Sequence, residues 1–300
     1  MAKADIAGLL ALAAALFIAI GDVFHQRSAR EVTDEPVGNI GLFAKLLRDR
    51  RWWLGSLVSA GGFALQAAAL GLGSVLLVQA LLVSSLLFAL LISARLSRRG
   101  VTGWEWVWAT LLGVAVAVVV TVGNPQAGQS RASLGTWIGV AAVLGPALVA
   151  CVVGARISGG RVAAVLLALV SGSLWGLFAV LTKGVVGQLG KGVWQLVCTP
   201  ELYAWALVAV AATVWEQSAF RAGALTSSLP TMTLTEPVVA AVLGVVVLGE
   251  TVHTGDAGLI VLAAAVLAMV VATAALARGA AVATQSPETD PAPDAVGQSG

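Results

Sequence analysis

The chain has 300 residues, 59% of them apolar and only 11% charged, against about 25% charged in a soluble domain. That excludes a pair of water-soluble domains, which would lack the charge to cover their surface. It also excludes disorder over most of the length, which needs low hydrophobicity, and a disulfide framework, since Cys151 and Cys198 are the only cysteines. The net charge of +2 reflects few charges rather than a basic surface, so no nucleic-acid partner is expected.

A helix rises about 1.5 Å per residue and the hydrocarbon core is about 30 Å thick, so a span needs about 20 apolar residues. Nine stretches qualify, which predicts an all-α polytopic membrane protein. The first, 5–24, carries Asp22 near its end, with His25 just beyond. Its Ala19-Ile20-Gly21 loosely resembles a signal cleavage site, but the preceding charge is weak and many spans follow, so it is read as a span. Residues 39–50 are too short to span. Leu42, Phe43, Leu46 and Leu47 share a helical face, with Lys45, Arg48 and Arg50 elsewhere, as in an interfacial helix; a solvated linker helix is the alternative. Spans follow at 53–71, 75–94 and 104–123, with Trp52, Trp53, Trp104, Trp106 and Trp108 at their starts, as interfacial belts require. The fifth is 134–154 and the last four are 162–182, 202–222, 226–248 and 256–277. From 279 to 300 prolines and acidic residues take over, and a disordered tail is expected.

Lys and Arg decide orientation. With nine spans, Lys3, Arg131, Lys183 and Lys191 fall on the N-terminal side, and the other thirteen of the seventeen cations fall opposite. The N-terminus is therefore expected outside the plasma membrane and the C-terminus in the cytoplasm.

Sliding the chain by 152 residues lays 54–123 over 206–275. Gly71 meets Gly223, Gly103 meets Gly255, Leu82 meets Leu234, and Val118-Val119 meet Val270-Val271. Five spans separate equivalent positions, and an odd number reverses orientation. The expected organisation is a first repeat over 1–123, a linking helix over 124–161 and an inverted second repeat over 162–278. Such repeats build a site at the membrane midplane and rock against each other.

Two motifs carry a family resemblance. Gly172-Ser173-Leu174-Trp175-Gly176-Leu177-Phe178, followed by Lys183, resembles the opening helix of a repeat in the drug/metabolite transporter superfamily, EamA-like branch. Leu234-Thr235-Glu236-Pro237-Val238-Val239-Ala240-Ala241, running to Leu248-Gly249-Glu250, resembles that family's penultimate helix. The first half is more divergent, with Gly21-Asp22-Val23-Phe24 in its opening helix and Ser84-Ser85 where Glu236-Pro237 stand. A more distant likeness, through Trp52-Trp53, Gly55, Ser74–Gln79, Lys183-Gly184 and Gln217, is to NIPA-type magnesium transporters, a nine-span branch. The resemblance covers about 5–277 and implies a secondary transporter with alternating access. The family usually has ten spans, against nine here.

A carboxylate amid hydrocarbon costs about 2.5–3.5 kcal/mol, so such groups face a hydrated cavity or a partner. Thr213, Glu216 and Gln217 share a face of the seventh span. Ser228, Thr231 and Thr235 share a face of the eighth, flanked by Glu236, and Pro230 and Pro237 each remove a backbone donor there. Glu216, Gln217, Thr231 and Glu236 are the expected borders of a solute pathway, with a Glu216–Arg221 pair and simple helix packing as the plainer alternatives. Lys183 is either a snorkelling anchor or a gate, the latter because the resembled family places a cation there. Asp22 and His25 form either a proton relay or an interfacial pair with Arg27. His253 is expected to be solvated in an outer loop. Glu250 is read as a boundary residue. Gln66, Gln79, Ser84 and Ser85 are the matching polar groups of the first half, or packing hydrogen bonds. Gly135/Gly139 and Gly172/Gly176 have the spacing that lets helices approach closely.

There is no HExxH, GxSxG, CxxC or phosphate-binding loop motif. No enzymatic activity and no cofactor are expected, and a gradient must supply the energy. The leading expectation is transport of a small polar or cationic metabolite. The alternatives are a magnesium-type divalent cation carrier using Glu216 and Glu236 as oxygen ligands, a flippase for a lipid-linked substrate, and a non-transporting scaffold. The bilayer and a small solute or ion are the expected partners, and a homodimer is admissible.

Overall fold

In a computed structural model the described residues are 2–33, 50–96, 100–222 and 225–285. The chain is an all-α polytopic membrane protein. Its order is α1 (Ala2–Thr33), α2 (Arg50–Leu72), α3 (Val75–Leu82), α4 (Ser85–Leu96), α5 (Gly103–Gly123), β1 (Pro125–Gln126), α6 (Leu134–Ile157) and α7 (Gly160–Val186). Two short turns of helix follow at Leu189–Lys191 and Val193–Val197. The chain then forms α8 (Pro200–Ala222), α9 (Leu225–Leu248), β2 (Thr251–Val252) and α10 (Asp256–Gln285). Among the described residues eight segments are long and apolar enough to cross a membrane, α3 and α4 counting as one. α8, the expected seventh span, has the length at 23 residues, but Glu201, Glu216, Gln217 and Arg221 make it less apolar than the others.

Local sequence explains the boundaries. The Thr102 hydroxyl accepts from Glu105 N–H at 3.2 Å while the Glu105 carboxylate accepts from Thr102 N–H at 2.8 Å, a reciprocal cap that starts α5. Ser74 and Ser133 cap α3 and α6 in the same sense. α9 ends at Gly249, whose φ of +65° only glycine adopts without strain.

α1 buries a stripe of alanines, Ala7, Ala11, Ala14, Ala15 and Ala19, and packs along α2. Small side chains bring the two backbones close, so that a Cβ at Gly62 would sit 2.9 Å from Ile18 and 3.1 Å from its backbone nitrogen. α7 packs on α8 and on α9. A Cβ at Gly172 would fall 2.8 Å from Thr235, and one at Gly176 would fall 2.8 Å from the Glu236 carbonyl. One core joins both halves, with Ala7, Leu70, Val78, Leu112, Val180, Leu243 and Ala272 all in it. The pairings repeat between halves: α1 meets α2 as α7 meets α8, and α1 meets α3 and α4 as α7 meets α9. α5 packs on α10, and α3 on α9.

Three expectations are corrected. The third span is not one helix but breaks at Val83-Ser84 into α3 and α4. The eighth, expected as one span, is the single helix α9, running through Pro230 and Pro237. Gly135 and Gly139 do not serve close packing among the described residues: no described neighbouring helix comes within 4 Å of a Cβ at either, and α6 is peripheral, with Ala155 its one buried described residue. α10 continues to Gln285, so the first residues of the expected tail are helical. The segment 39–49 and residues 286–300, expected as interfacial helix and tail, lie outside the described residues.

Candidate functional site

Three features stack along the molecule. The first is a belt of carboxylates from both halves. Asp22 on α1, Glu216 on α8 and Glu236 on α9 are brought together closely enough that Glu216 acts electrostatically on each of the other two. Asp22 is exposed and the two glutamates are half-buried, yet protein crowds all three. The cost of turning such groups to lipid argues that they face water or a partner. Glu216 is held by Trp175, whose Nε1 donates to Oε2 at 3.0 Å; the expected Arg221 is not its partner here. Trp175 begins an aromatic row. It stacks on Phe63 of α2 and meets Phe178 edge-on at 5.3 Å, and Phe178 stacks on Trp205. Trp205 Nε1 donates to Thr182 Oγ1 at 2.9 Å. The row thus joins α2, α7 and α8 beside a carboxylate, a combination suited to a cation.

The second feature closes the end of the molecule that carries Lys183. Gly249 turns the chain so that Glu250 N–H bonds back to the Gly244 carbonyl at 3.1 Å, and the Glu250 carboxylate folds inward to full burial. There Lys183 Nζ donates to Oε1 at 2.6 Å. The same carboxylate accepts from Val75 N–H at 2.7 Å and Leu76 N–H at 3.0 Å, the first turn of α3. A carboxylate at a helix N-terminus is favoured by the helix dipole, and the ammonium completes its neutralisation. Two elements of the second half are thereby tied to one of the first. Glu250 was read as a mere boundary residue and is instead the centre of this tie; Lys183 is a buried ion-pair partner rather than a snorkelling anchor. Nearby, Arg131 pairs with Glu201 through Nε at 2.9 Å. With its amide oxygen turned toward it, Gln188 accepts from the same guanidinium at 2.7 Å. β1 pairs with β2 in a two-residue antiparallel ladder, and Gln129 N–H donates to the Leu248 carbonyl at 2.7 Å. His253 N–H bonds the Gly123 carbonyl, so that loop is tied down too.

The third feature is a cavity of about 300 Å³ at the opposite, arginine-rich end, walled by Arg161, Val165, Ser227, Pro230, Thr231, Leu234, Ala274 and Arg278. Of the expected pathway residues Thr231 is in its wall; its own hydroxyl donates back to the Ser227 carbonyl at 2.8 Å. Glu236 lies two residues beyond Leu234 in the chain.

The remaining expected residues scatter. Gln217 and Thr213 are exposed on α8. Gln66 and Gln79 are buried, and Gln79 Nε2 has no partner among the described residues. Ser84 is buried at the α3–α4 break. His25 continues α1, but its side chain lies outside the described residues. Trp175, Glu250, Arg131 and Glu201 were not anticipated as contacts.

No family model matches the sequence, and no solved structure matches it. An uncharacterized protein of Corynebacterium glutamicum is 37% identical over 284 residues, which cover 91% of this chain and 95% of that one. Identity of that order along nearly the whole of both chains, loops and spans together, marks common descent and one fold: the chain belongs to the family of this corynebacterial protein.

Proposed function

We propose that the protein is a secondary transporter of the EamA-like kind, moving a small polar or cationic metabolite across the plasma membrane by alternating access. Its N-terminus is outside and its C-terminus cytoplasmic. The observation that carries this reading is the difference between the two ends. The Lys183 end is shut by a buried ion pair that ties α7 and α9 to the start of α3, while the arginine-rich end holds an open cavity. Such asymmetry is what a carrier has when one mouth is closed and the other open. The repeated helix pairings support an inverted repeat of nine spans, α8 included.

The carboxylate belt and the aromatic row favour a cationic or amine-bearing solute over a neutral one. A magnesium-type carrier is the second reading. It is less favoured because no three acidic, histidine or cysteine side chains among the described residues gather closely enough to hold an ion. Transport assayed in proteoliposomes tests the proposal. Glu236→Gln is expected to abolish solute exchange at unchanged protein incorporation, and unchanged exchange refutes a role for this carboxylate in transport.

A further inference from the structure

The open cavity at the arginine-rich end has a charge that the carboxylate belt does not explain. Its eight wall residues include two guanidinium groups, Arg161 and Arg278, and no acid. They come from different helices, Arg161 from the first turn of α7 and Arg278 from the last part of α10. Arg161 is positioned rather than free: its Nε donates to the Ser227 hydroxyl at 2.7 Å, and Ser227 is itself more than nine-tenths buried. That bond uses the inner nitrogen and leaves the two terminal nitrogens for a ligand. Neither arginine has a carboxylate partner among the described residues. The first turn of α7 adds to the positive field, because its N-cap, Gly159, offers no side chain to cap the backbone N–H groups. The rest of the wall is apolar: Val165, Pro230, Leu234 and Ala274.

We propose that this cavity is a binding site for a phosphate-bearing ligand, with Arg161 and Arg278 gripping the phosphate oxygens from two sides. Guanidinium groups match phosphate oxygens in geometry as well as charge, and the volume suits a phosphoryl group with a small substituent. The apolar part of the wall would hold the carbon portion of the ligand. Two sources share that chemistry: the headgroup of an anionic phospholipid and a soluble phosphate or phosphate ester. The transport reading takes this same cavity as its open mouth, but the phosphate site rests on Arg161, Arg278 and Ser227 and not on the Asp22, Glu216 and Glu236 belt.

The experiment has two arms on the purified full-length protein, both read as the thermal midpoint. In detergent, inorganic phosphate is titrated against chloride at equal ionic strength. In nanodiscs, phosphatidylcholine alone is compared with phosphatidylcholine containing phosphatidylglycerol. Arg161→Gln and Arg278→Gln are compared with Arg156→Gln, an exposed arginine of the same end outside the cavity. Stabilisation in the phosphate arm identifies a soluble ligand, and stabilisation in the nanodisc arm alone identifies a headgroup. In either case each cavity variant is expected to need roughly tenfold more ligand for the same shift, the loss of one charged hydrogen bond, while Arg156→Gln responds as wild type does. Arg278→Gln carries the test alone if Arg161→Gln does not fold. Stabilisation in neither arm overturns the proposal, and so does an equal loss in Arg156→Gln, which would mean general attraction of basic residues to anions.

Discussion

The Lys183–Glu250 pair shows what burial does to single residues. Both side chains are removed from water, which costs several kcal/mol for each ion unless the partners are well placed. Here the carboxylate has three donors, one ammonium and two backbone N–H groups, so the charges are answered. Glu250→Gln is expected to destabilise strongly, by about 3–5 kcal/mol, because it strands a buried ammonium. Adding Lys183→Met should restore much of that loss, since the amide oxygen still accepts from the start of α3. Thermal midpoints of the single and double variants check this, and strict additivity would show that the two residues are not coupled. The sequence made the two charges visible but not their meeting. They are 67 positions apart, and Glu250 follows a glycine that looks like an ordinary helix end. The usable clue was depth: each sits at the same end of its span. Glu216 and Glu236 were legible on energetic grounds alone, because few carboxylates are tolerated in spans. Trp175 as the partner of Glu216 was not, since only the packing of α7 on α8 brings residues 41 positions apart together.

At the scale of elements, hydropathy located eight of the nine expected spans because a bilayer demands length and apolarity and little else. It was blind to the α3–α4 break. Ser84-Ser85 sit inside an apolar run, and serine is accepted in membrane helices, so nothing in composition marks a discontinuity there. The prolines of α9 do not end it: threonine hydroxyls at Thr231, Thr233 and Thr235 bond to carbonyls one turn back, and the helix continues through both prolines. Glycine spacing was right for Gly172/Gly176 and wrong for Gly135/Gly139. Spacing permits close approach, whereas a partner helix must be present to use it. Gly176→Val should therefore push α7 from α9 and cost about 1–3 kcal/mol or more through overpacking, while Gly139→Val should leave the thermal midpoint nearly unchanged. Equal destabilisation by the two would place α6 against an unseen neighbour.

At the scale of the whole molecule, the two ends differ in kind. One is knitted by ion pairs, a short ladder and backbone bonds between loops; the other is basic and hollow. The proposed orientation rests on the cation count, and topology reporters check it: a fusion in the loop at 128 is expected to read outside and one at 158 cytoplasmic. A reading of both on one side would undo the alternation of spans. The central claim is the proposal that a solute crosses the membrane past the carboxylates Asp22, Glu216 and Glu236. Counterflow in proteoliposomes, screened across amines, other polar metabolites and divalent ions, tests it most directly. The account predicts that at least one small polar or cationic solute accumulates against preloaded lumenal solute, and that Glu236→Gln abolishes this accumulation. Exchange no faster than in protein-free liposomes for every solute, or equal exchange by the Glu236→Gln variant, would contradict it.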